Sequence, residues 1–103
     1  MKNFFKLSEL AESTLIGRDI GERTRHKIKD LVKDSGQVTI DMENNSSLSP
    51  SFLDEAIVTL VVEYGKEKFH KHIQLININS GIKVLMNSML QAKLQRETKP
   101  NNS

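Results

Sequence analysis

The stretch Gln37-Val38-Thr39-Ile40-Asp41-Met42 alternates without a break: Val38, Ile40 and Met42 fall on one side, Gln37, Thr39 and Asp41 on the other. Successive side chains of a strand point to opposite faces, so this strand has one apolar and one largely polar face. A strand covered by helices on both faces would read as a continuous apolar run instead. The pattern restricts the chain to two layers, with helices mainly on one face of the sheet.

The flanking segments have helical periodicity. Ile16, Ile20, Ile28, Leu31 and Val32 recur at three- and four-residue steps and predict a helix over 17–34. Arg18, Arg23, Arg25, Lys27, Lys29 and Lys33 lie largely off that stripe, and Ser35-Gly36 is its stop. A second helix over 50–64 carries Phe52, Leu53, Ala56, Ile57, Leu60, Val61 and Tyr64 and ends at Gly65; a third over 81–96 carries Ile82, Leu85, Met86, Met89, Leu90 and Leu94. His72 begins a strand over 72–78, and residues 3–7 suit a short strand. Residues 8–16, 43–48 and 66–71 read as connections, the first with a helical turn as the alternative, and 97–103 as a disordered polar tail. The order β-α-β-α-β-α, with right-handed crossovers, builds a parallel core. The expectation is one small α/β domain over residues 1–96, with a parallel or mixed sheet. A sheet this narrow invites completion by a further strand or by a second copy in a homodimer.

Length and composition narrow the classes. The chain has 103 residues and no cysteine, so neither a disulfide framework nor a cysteine nucleophile is available. There is no apolar run of membrane-spanning length. The start, MKNFFKLSELAES, has early acids and no long apolar core, unlike a secretory leader. A cytoplasmic protein is the expectation. Charge is unevenly spread: residues 34–65 contain no Lys or Arg but hold Asp34, Asp41, Glu43, Asp54, Glu55 and Glu63, between two basic segments. The plain reading is a solvated surface; the sharper one is an acidic face that docks a basic partner.

Chemistry-bearing patterns are sparse. His70 and His72 stand two apart, on one side of a strand, but further metal ligands would have to come from afar, as from His26 or Asp41. No GxSxG elbow and no glycine-rich phosphate loop occurs. Asp54 and Glu55 are adjacent on a helix and point about 100° apart, so they are not a facing carboxylate pair. No catalytic residue, metal or cofactor is expected. The basic 18–33 segment suggests nucleic acid, but Asp19, Glu22 and Asp30 interrupt it and no aromatic is interleaved as a stacking platform. Arg18 and Arg25, seven apart, share a helical face and suit either a partner contact or ion pairs to Asp41 or Asp54.

The stretch Ser47-Leu48-Ser49-Pro50-Ser51-Phe52-Leu53-Asp54-Glu55-Ala56 is a well-formed helix start. Pro50 suits the first helical position, which makes Ser49 the N-cap. Leu48 and Leu53 have the spacing of a hydrophobic staple. Asp54 and Glu55 place negative charge near the positive end of the helix.

With the strand Val38-Thr39-Ile40-Asp41-Met42 before it, this start resembles the bacterial STAS-like domain of unknown function. Arg18-Asp19-Ile20-Gly21 with Arg25, Leu75-Ile76-Asn77-Ile78-Asn79 and Ile82-Lys83-Val84-Leu85 extend the resemblance over about residues 15–95. It implies a small α/β module that regulates by binding partners, often GHKL-type ATPase kinases, and not an enzyme. In anti-sigma factor antagonists of the wider STAS group, a serine in an Asp-Ser-x-Gly pattern starts the equivalent helix and is phosphorylated. Here that place reads Leu48-Ser49-Pro50-Ser51-Phe52, without the Asp or the Gly. A cap is therefore the first reading of Ser49, with Ser49 and Ser51 kept as candidate phosphate acceptors. The candidate partner surface is the 43–48 loop with Ser49, Ser51, Asp54 and Glu55, together with Arg18 and Arg25. The rival is a small nucleic-acid-binding accessory protein using the basic first helix.

Overall fold

The computed structural model describes residues 3–11, 15–43 and 48–98. Its sheet has three parallel strands in the order β1 (Phe4–Lys6), β2 (Val38–Asp41), β3 (Ile73–Ile76). Register places Phe5, Ile40 and Leu75 in one row, and Val38 beside Ile73. These form the apolar face, on which Val38, Ile40 and Ile73 are buried. The opposite face carries the row Phe4, Thr39, Gln74, in which Phe4 and Gln74 are exposed. The alternation at 37–42 thus sends Val38, Ile40 and Met42 into the core as expected, in a small α/β domain with an open parallel sheet, whereas Asp41 on the polar side is buried too.

Between β1 and β2 run α1 (Leu7–Ala11) and α2 (Arg18–Ser35). The α2 stripe buries Ile28 and Val32, and buried Thr24 satisfies its hydroxyl by donating to the Ile20 carbonyl at 2.7 Å. Gly36 closes the helix in the left-handed conformation (φ 81°), its N–H donating to the Val32 carbonyl. Between β2 and β3 lie α3 (Pro50–Leu53), a π-helical turn (Asp54–Val58), α4 (Thr59–Tyr64) and α5 (Lys66–His72). The chain ends with α6 (Ser80–Thr98). The core gathers Leu7, Leu10 and Ile28 with Phe52, Leu53, Ile57 and Leu60 over the apolar sheet face. Burying Phe52 alone, which has no exposed surface, contributes about 1.5–3 kcal/mol.

Four expectations need correction. Residue 7 leaves the expected strand, and the alternative helical turn of the following connection is present as Leu7–Ala11: Leu7 and Leu10 reach the core one turn apart, and the Glu9 side chain caps the Lys6 N–H at 2.8 Å. Residues 66–72 form α5 rather than a connection, because Phe69 is buried and anchors an otherwise solvent-facing charged turn. This moves His70 and His72 from a strand onto a helix, where residues two apart point roughly 200° apart. His72 instead bonds through Nδ1 to the Gly36 carbonyl at 2.7 Å. The 50–64 helix is not uniform: the Thr59 N–H reaches back five residues to the Asp54 carbonyl, inserting a π turn while the backbone stays helical on both sides. The last helix continues through Thr98, past the expected end, while residues 99–103 of the tail lie outside the described residues. Among the described residues, no helix is long and apolar enough to cross a membrane.

Candidate interaction site where two helices begin

Two helix starts converge on Ser49. The residue is extended (φ −93°, ψ 149°), Pro50 follows as the first helical residue, and Ser49 Oγ accepts from the Phe52 N–H at 3.1 Å. The same oxygen accepts from the N–H of Gly17, the residue before α2, at 3.1 Å. The Ser49 N–H donates to the Leu15 carbonyl at 2.9 Å. A hydroxyl offers two lone pairs and one proton. Both lone pairs are used, and the proton faces Ser51 Oγ at 3.3 Å. Ser49 is thus a cap and also a link between segments more than thirty residues apart. Ser49→Ala is expected to lose about 1–2 kcal/mol of stability in urea denaturation, because two N–H groups lose one acceptor. A loss under about 0.5 kcal/mol, the scale of an ordinary surface change, would show that the hydroxyl is not the link.

Behind this corner α2 lies unusually close to the π turn. A Cβ on Gly21 would stand 2.7 Å from the Phe52 carbonyl oxygen and 2.8 Å from Glu55 Cβ. That approach lets side chains of α2 reach the acids of the turn. Arg18 Nη1 donates to Asp54 Oδ2 at 3.0 Å and lies 3.7 Å from Glu55. Lys93 of α6 approaches the other Asp54 oxygen at 3.4 Å, so one buried carboxylate ties three elements. Arg25 is buried and donates through Nη1 to the Glu55 carbonyl in the π turn. Its guanidinium also stands 3.6 Å from Glu63, which Lys29 contacts at 2.6 Å.

All six candidate residues therefore gather at one corner, in unequal states. Arg25 and Asp54 are buried, Ser49, Ser51 and Glu55 half-buried, and only Arg18 is open, with 59% of its side chain exposed. Of the expected loop surface, residues 44–47 lie outside the described residues. The acidic segment turns much of its charge inward: Asp54, Glu55 and Glu63 meet the bases of α2, and the Arg18–Asp54 ion pair foreseen as one alternative is present. Lys93 and Glu63 had no distinguishing sequence signal, since an isolated Lys or Glu on a helix reads as surface. Gly21 carried a signal in its position within an apolar helical pattern.

A second polar link joins the carboxyl ends of β2 and β3. Asp41 Oδ1 accepts from the Glu43 N–H at 2.9 Å and from Asn77 Nδ2 at 3.0 Å. The Asn77 hydrogen bond, then the Glu43 N–H, favours the ionised form and holds the Asp41 carboxyl below the ordinary aspartate value of 3.8. Asn77 takes the left-handed conformation (φ 56°), which Asn tolerates better than most residues.

A three-stranded open parallel sheet, helices massed on its apolar face, and a serine-capped helix start locked to the preceding helix define a small two-layer α/β domain. Residues 21–83 match the family described as the STAS-like domain of unknown function (DUF4325), and the chain belongs to that family. No match was found among curated proteins or among solved structures.

Proposed function

We propose that this chain is a regulatory module that acts by protein–protein contact, without catalysis of its own, and that its partner is a GHKL-type ATPase. The observation that carries the reading is the corner at Ser49. A linked pair of helix starts presents the exposed Arg18 guanidinium 3.7 Å from half-buried Glu55, with half-buried Ser51 next to the Ser49 cap. Membership of a STAS-like family supports it, since such domains work through partners. The basic helix supports nucleic-acid binding less well, because Arg25 is buried against Glu55 and Lys29 is paired with Glu63. Within this reading Ser51 is the better-placed phosphate acceptor, as the Ser49 lone pairs are both occupied.

The test is capture of a purified GHKL-type ATPase from the same genome. Arg18→Gln and Ser51→Glu are each expected to weaken capture about tenfold or more, as loss of a charged interface contact does. Circular dichroism should stay unchanged, because Arg18 itself is solvent-exposed and Lys93 still pairs with the buried Asp54 carboxylate in Arg18→Gln, while Ser51→Glu leaves the Ser49 cap in place. Equal capture by wild type and both variants would remove this corner as the contact surface.

A further inference from the structure

The last helix is incompletely covered. From Ser80 to Arg96, α6 has no fully buried residue, although Ile82, Met86 and Leu90 are all apolar. It packs against the π turn and α4 and is pinned there by Lys93 to Asp54. A cleft of about 670 Å³ remains between α6, α4, α5 and the apolar sheet face. That volume lies within the range of about 300–1,000 Å³ typical of small-molecule sites. Its floor is apolar, made by Ile57, Val61, Ile73, Leu75, Met86 and Leu90.

The charged side chains of the lining have one sign, among neutral polar ones such as Gln37, Thr39, Gln74 and Asn87. Lys66, His70 and Lys71 from α5 and Lys83 from α6 contribute to the cleft, and among the described residues no Asp or Glu lines it. This contrasts with the opposite side of the helical layer, where Arg18, Arg25, Lys29 and Lys93 all meet carboxylates. Among the described residues, no carboxylate stands within ion-pair distance of Lys66, Lys71 or Lys83. An apolar floor beneath uncompensated cations is complementary to a ligand with an apolar body and an anionic head.

We propose that this cleft binds an anionic amphiphile, its hydrocarbon chain on the Ile57–Val61–Leu75–Met86 floor and its carboxylate or phosphate head among Lys66, Lys71 and Lys83. The site is separate from the Ser49 corner, so it stands or falls independently of the ATPase reading.

The test uses the full chain and three monomeric probes of equal chain length: dodecanoate, dodecyl phosphate and dodecyltrimethylammonium. NMR titration should show saturable binding of at least one anionic probe. The shifts should concentrate in the methyl groups of Ile57, Val61, Leu75 and Met86. The cationic probe should bind about tenfold more weakly or worse, and Lys66→Glu with Lys83→Glu should weaken the anions by a similar factor. The tighter of the two anions names the head group. Absence of saturable anion binding, equal binding of the cationic probe, or shifts centred elsewhere would overturn the proposal. So would a concentration-dependent dimer that buries these same methyl groups.

Discussion

Arg25→Ala is expected to lower the free energy of unfolding by about 3 kcal/mol, the low end of the cost of breaking a buried ion pair. Its side chain is only 8% exposed and links α2 to the π turn through the Glu55 carbonyl. Removing it leaves that carbonyl without its side-chain donor and leaves the Glu55 carboxylate, 23% exposed, without its nearest buried cation. The contacts with Glu22 and Glu63 add little, since both acids are well exposed and solvent screens them. Arg25→Lys should recover less than half of the loss, because an ammonium cannot reproduce the planar fork that addresses the Glu55 carbonyl and carboxylate together. Urea denaturation of both variants checks this. If Arg25→Met proved as stable as wild type, the residue would act through packing alone.

Gly21→Ala should destabilise by about 2 kcal/mol, against the usual direction for such a change. In an open helix interior, alanine is better than glycine by about 1 kcal/mol. Here the new methyl would stand 2.7 Å from the Phe52 carbonyl oxygen, 2.8 Å from Glu55 Cβ and 3.3 Å from the Ala56 N. Two of those neighbours are backbone atoms, so relief requires one helix to move away from the other. Overpacking of this kind costs about 1–3 kcal/mol, occasionally more. The same movement would lengthen Arg25 to Glu55 and Ser49 to Gly17. The Gly21→Ala and Arg25→Ala effects should therefore combine to less than their sum, because both act through the α2–π turn seam. Stabilisation by Gly21→Ala in the same denaturation series would overturn the close approach.

Much of the architecture was legible because it rests on local periodicity. The period-two run at 37–42 placed β2 and its core face, and the 3.6-residue stripes placed α2, the rod from Pro50 to Tyr64 and α6. The cap at Ser49 was legible for the same reason: Pro50 and the serine act on neighbouring backbone. Short helices were not legible. In α1 and α5 a few apolar anchors hold an element too short to show a period, so Lys66–His72 looked like a polar connection until Phe69 had a core to enter. The π turn was equally silent, since one residue's shift in hydrogen bonding leaves the apolar pattern nearly intact.

The candidate site divides in the same way. The sequence alone determined which residues are unusual: the helix start at Ser49-Pro50, the paired acids Asp54 and Glu55, the spacing of Arg18 and Arg25, and the segregation of charge into blocks. Only the tertiary structure decided what those charges face. Attraction between side chains depends on distance and desolvation, and the distance between α2 and the π turn is set by a missing Cβ at Gly21. Of the acidic block, which read as a solvated surface or a docking face, Asp54, Glu55 and Glu63 pair with bases of α2. Lys66, Lys71 and Lys83, with no carboxylate in ion-pair reach among the described residues, lie around a cleft that the sequence did not disclose. Its walls come from segments spread between Gln37 and Gln91, and their juxtaposition is a property of the fold.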